Sequence, residues 1–168
     1  LYAQRCEDLW KDFTDLLEVK DEDFPAEPGP WQMQRKYMGI GPYLGMGGKY
    51  EVLLLPTEAS SFAYLKDQFG LLIKLTQRWN VIDRDSIALI THAGQGSLRV
   101  DEAMHGHVVF NLVINMLDGY KHYSYELPVW IREGLAHWFE RNLNPKFNSF
   151  DSSEGAVADT TSKANWEP

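Results

Sequence analysis

Cysteine is almost missing from this chain. Cys6 is the only one in 168 residues, so no internal disulfide can form. The same scarcity rules out a thiolate zinc site, which draws on several cysteines. Any metal bound here must be held by histidine and carboxylate. Basic clusters are missing too: 16 Lys and Arg face 24 Asp and Glu, a net charge of -8. A nucleic-acid binder needs a basic face, so no nucleic-acid partner is expected. No apolar run reaches the ~18 residues of a membrane-crossing helix, and no signal peptide is recognisable.

What remains is the material of one globular domain. The hydrophobic share of 44% over this length is enough to bury a core. Residues 2–18 read as an amphipathic helix, with Leu9, Phe13, Leu16 and Leu17 at helical spacing. Pro25, Pro28, Gly29 and Pro30 then break any helix over 21–31, and the glycine-rich stretch 39–48 reads as a loop. Tyr50–Leu55 is a short buried strand ended by Pro56, and Thr57 or Ser60 caps a helix to about Phe69. Leu71–Trp79 suits a strand or a helix equally. Ser86–Thr91 reads as a strand, followed by a turn at Gly94 and Gly96.

From Leu98 to Leu117 the apolar positions recur at helical spacing, and Asp118-Gly119 closes the run. An aromatic loop follows over 120–127. Pro128 suits the first turn of another helix to about Asn142. There is no internal repeat. The division expected is an N-terminal helix and linker over 1–31, a main domain over 32–150, and a polar tail or truncated connection over 151–168.

Two residue pairs carry the chemistry. Asp101 and His105 are spaced i,i+4 on the long helix, and Glu133 and His137 are spaced i,i+4 on the next. That spacing puts each pair on one helical face, as a helical zinc site requires. The linking loop is short, so the helices should pack as an antiparallel or steeply crossed pair, and all four side chains would converge. Glu102 lies about 100° further round its helix than Asp101. From there it would face a metal-bound water, where a general base belongs.

The segment Trp130-Ile131-Arg132-Glu133-Gly134-Leu135-Ala136-His137-Trp138-Phe139 resembles the third-ligand helix of gluzincin (peptidase MA-like) zinc metallopeptidases. The segment Asp101-Glu102-Ala103-Met104-His105 resembles their His-Glu-x-x-His motif, with Asp in place of the first His. The likeness covers roughly residues 50–142. It implies an α+β, zincin-like fold: a small sheet, with an edge strand near 86–91 that would hold an extended peptide, then two site-bearing helices. It implies one zinc ion on Asp101, His105 and Glu133, with His137 as a fourth ligand or an orienting partner, and Glu102 as general base. The substrate would be a peptide or protein. The resemblance and the non-methionine start lean toward export to the periplasm or the extracellular space.

The Asp at position 101 alters the charge balance. Two carboxylates and one His cancel the charge of zinc and weaken it as a Lewis acid, and four protein ligands would close its shell. Two readings follow: a zinc-dependent peptidase, or a catalytically inactive zincin-like binding or structural domain, metal-free or with a closed four-ligand site. Among the other candidates, His122, Tyr123 and Tyr125 could stabilise an oxyanion or simply pack the aromatic loop. His107 reads as a packing or surface residue, and His92 as a cleft or strand-end residue. Gly94-Gln95-Gly96-Ser97 reads as a turn with a Ser cap, or as an anion cradle.

Overall fold

The computed structural model describes residues 1–20, 22, 50–81, 86–94, 96–120, 127–147 and 149. The expected breaker stretch at 21–31, the glycine loop at 39–48, the aromatic loop and the tail at 151–168 fall wholly or almost wholly outside them. The fold is mixed α+β. Helix α1 spans Tyr2–Leu16, strand β1 Glu51–Leu55, helix α2 Glu58–Phe69, strand β2 Gln77–Val81 and strand β3 Ser86–His92. A short 3-10 turn, Gly96–Arg99, leads into helix α3, Asp101–Tyr120, and helix α4 is Val129–Leu143. Among the described residues no helix is long and apolar enough to cross a membrane.

Local chemistry sets most of these boundaries. Thr57 caps α2 by accepting the Ser60 N–H, while Ser60 returns a bond from its side chain to the Thr57 backbone. Gly70 ends α2 at φ 67, a left-handed position that glycine adopts without strain. Pro128 stands just before α4, where a missing N–H costs nothing. Asp118 and Gly119, expected to close the long helix, lie within its last turn instead.

The sheet order is β1-β3-β2, with β1 parallel and β2 antiparallel to β3. This corrects one expectation. The strand at 86–91 is not an edge: β3 is central, so its main-chain groups are engaged on both sides. The edge lying antiparallel to it is β2, in the stretch that suited strand or helix equally. Its strand begins only at Gln77, after the exposed Leu72 and Leu75.

The period-2 alternation of strand side chains divides the core. Leu53, Leu55, Ala88 and Ile90 face Leu65 of α2, whereas Val52, Leu54 and Leu89 face Met104 and Val108 of α3. On its far side α3 packs against α1 and α4 through Phe110, Val113 and Ile114, with Leu9, Phe13, Ala136 and Phe139. Every residue from Val108 to Leu117 is buried. A helix buried on all faces belongs at the centre of a domain, and that is the place α3 takes over this stretch.

Candidate metal centre

The N-terminal turn of α3 carries Asp101, Glu102 and His105. Asp101 Oδ2 lies 3.5 Å from His105 Nε2, so the i,i+4 spacing does bring these two together. The carboxylate is largely exposed, whereas the His105 side chain is only 9% exposed. Both His105 ring nitrogens are buried without a hydrogen-bond partner. Burial pushes the His105 pKa down and the nearby Arg5 charge adds to that, with Asp101 opposing. Burial and the Arg5 charge both favour the neutral ring, the form a metal ligand needs.

A residue outside both motifs completes this corner. Tyr2 of α1 stacks flat on His105, with ring centroids 3.9 Å apart and planes 4° apart. Its hydroxyl donates to Asp101 Oδ1 at 2.6 Å. Burial, the hydrogen bond to Asp101 and the Asp101 charge together push the Tyr2 pKa up to about 12. On the other side, Asn144 Nδ2 donates to the Glu102 carboxylate. Phe147 packs over Gly106, where an added Cβ would come within 2.8 Å of its ring. Tyr2 and Asn144 thus hold both carboxylates of this turn.

The second pair is differently engaged. His137 packs on Phe110, ring centroids 5.0 Å apart, and its Nδ1 bonds to Glu140 Oε1 at 2.9 Å. Glu140 is fully buried and also accepts the Ser149 N–H at 2.9 Å. The contacts of His137 with Phe110 and of Asn144 with Glu102 show that α4 runs antiparallel to α3. In that register Glu133, half-buried, lies near the level of Ile114. It is roughly nine helical positions, or about 13 Å, along the pair from His105.

The structure therefore brings Asp101 to His105 and His137 to Glu140, and it keeps the two pairs apart. Among the described residues no group of three His, Cys, Asp or Glu is placed to hold a metal ion. Zinc as the zincin likeness implies it meets only half a site. The 3.5 Å between Asp101 and His105 is close to the ~3.3 Å expected of two ligands on a tetrahedral ion with ~2.0–2.1 Å bonds. Glu133 and His137, as arranged, do not complete it.

His122, Tyr123 and Tyr125 lie outside the described residues. His107 Nε2 sits 3.2 Å from the hydroxyls of both Thr76 and Thr91, which fits the packing role read for it. His92 is buried; its Nε2–H donates to the Lys74 carbonyl, and Nδ1 accepts the Gly94 N–H. It ties the end of β3 to the segment before β2. No family model, curated protein or solved structure matches the chain.

Proposed function

We propose that this chain is a zincin-like domain that works as a binding or structural module and not as a peptidase. The observation that carries this reading is the engagement of the α3 N-terminal turn from both sides. Tyr2 covers His105 and bonds Asp101, while Asn144 bonds the Glu102 carboxylate that a peptidase would use as its base. That bond occupies the carboxylate that a general base would offer to a bound water.

One observation supports a bound metal, which the hydrolytic reading requires. His105 is buried with neither nitrogen hydrogen-bonded, its Nε2 3.5 Å from Asp101, an arrangement that suits two ligands of one cation. The two readings separate in one experiment. The full chain is loaded with zinc, its metal content is measured, and hydrolysis of a fluorescent protein substrate is followed with and without chelator. The expected result is no chelator-sensitive hydrolysis above background, with proteolysis gained, if at all, only in Asp101→His. Chelator-sensitive hydrolysis by the native chain, abolished in Glu102→Gln, would overturn the proposal.

A further inference from the structure

α1 and α4 lean on α3 side by side and leave a groove of about 580 Å³ open between them. That volume lies within the ~300–1,000 Å³ of sites that accept ligands and anchor side chains. The two walls differ in chemistry. The α1 wall carries the carboxylates of Asp8, Asp12 and Asp15, with Arg5 as its one lining cation. The α4 wall carries Trp138 and Leu143, respectively 50% and 38% exposed, and Leu16 of α1 adds a further exposed apolar group. Large apolar side chains left half in water along a concave strip mark an interaction surface more often than chance exposure does.

The carboxylates are free to recruit charge. The lysine nearest to Asp15, Lys11, sits at 4.0 Å with both side chains mostly in solvent, a pair that contributes little. Asp8 accepts only from the neutral amide of Gln4. The spacing is informative. Asp8, Asp12 and Asp15 stand on one face of α1 at intervals of four and three residues, about 6 Å and 4.5 Å along its axis. Basic residues spaced three and four apart on a second helix repeat the same intervals. The apolar stripe beside them would then meet Trp138 and Leu143.

We propose that this groove docks a basic amphipathic helix of a partner protein, read by charge along α1 and by apolar anchors along α4. The inference rests on residues outside the Asp101–His105 pair, and it holds whether or not that pair takes a metal. Its binding readout is separate from the hydrolysis assay, so failure of one does not imply failure of the other.

The test uses the full chain and a fluorescein-labelled 18-residue helical peptide with a leucine stripe flanked by lysines, followed by anisotropy. A second peptide keeps the leucines and replaces every lysine with glutamate. The lysine peptide is expected to bind, and the glutamate peptide is not. Asp8→Asn with Asp12→Asn should weaken binding about fivefold, the sum of two exposed charge contacts. The matched pair Glu51→Gln with Asp67→Asn, which removes two exposed carboxylates elsewhere, should leave it within about twofold. Trp138→Ala should weaken it about tenfold, as loss of an aromatic anchor does, with an unchanged melting temperature showing that the fold is kept. Equal weakening by both carboxylate pairs would reduce the effect to diffuse charge attraction and sink the proposal. So would binding of the glutamate peptide, indifference to Trp138→Ala, or sedimentation showing that two copies of the chain close the groove against each other.

Discussion

Glu140 offers the sharpest test of how the second motif is used. Its carboxylate is fully buried and accepts from His137 Nδ1 at 2.9 Å and from the Ser149 N–H at 2.9 Å. Glu140→Ala removes the acceptor, leaves both donors without it and opens a cavity beside Phe139. Breaking a buried polar pair from one side costs ~3–5 kcal/mol. The His137 side chain is 15% exposed, so water can partly replace the lost partner, and the lower end, about 3 kcal/mol, is expected. For a chain of this length that is a fall of about 6–12 °C in Tm. His137→Ala should cost about 2 kcal/mol, because Glu140 keeps the Ser149 bond. The double variant His137→Phe with Glu140→Leu should be less damaging than Glu140→Ala alone, since it leaves one donor unmet, the Ser149 N–H, instead of two and keeps the volume filled. Urea unfolding of the four proteins reads these differences directly. A Glu140→Ala cost below about 1 kcal/mol would refute the reasoning. It would mean that His137 is not committed to Glu140 and is available to a ligand.

Tyr2→Phe should destabilise the chain by about 1 kcal/mol, the worth of a charge-assisted hydrogen bond discounted for its exposure. With its folded pKa raised from 10.0 to about 12, the stabilisation from Tyr2 is complete below pH 10 and lost as the pH rises through about 12. Ultraviolet titration should show a late-ionising tyrosine that Tyr2→Phe removes; loss of no late phase would count against the contact. His105 behaves oppositely with pH. Its folded pKa lies below the usual 6.5, so its stabilisation is present above pH 6.5 and lost as the pH falls through the folded value. The fall in Tm on acidification should be shallower in His105→Phe, and an unchanged slope would disprove the assignment. Gly134→Ala should stabilise by about 1 kcal/mol, because the helical site is open. Gly94→Ala should cost ~1–3 kcal/mol, because its Cβ would press within 2.9 Å of the Glu58 backbone nitrogen. Thermal melts of the two variants check both signs.

The elements that depend on neighbours in sequence were legible from the residues. The Thr57 cap, the helix end near Phe69, the β1 and β3 runs and the Pro128 start are all written within a few positions of where they act. So was the meeting of Asp101 with His105, since i,i+4 fixes a shared face. Strand order and helix register were not legible, because partners far apart in sequence decide them. Nothing local announces that β2 joins the open side of β3 and leaves it central. The spacing of Glu133 and His137 gives their common face but not their height along α3, and the Phe110 contact sets that height. Tyr2 and Asn144 escaped notice for the same reason: each meets its partner from at least 42 positions away. Glu140 has one local signal, a carboxylate i+3 from His137, which competes with the i-4 carboxylate of Glu133.

The bond from Tyr2 to Asp101 spans 99 positions, and α1 lies against a helix made long after it. At about 5–20 residues per second on the ribosome, α1 waits some 5–20 s before its packing surface exists. Through that interval Leu9, Phe13 and Leu17 lack the α3 side chains they pack with. An isolated helix of 15 residues is marginal in water, so α1 without its partners is an apolar, half-formed strip. The contacts between α1 and α3 can therefore form only after α3 has been made. Synthesis slowed between the two would lengthen the exposure of that strip without altering the finished molecule.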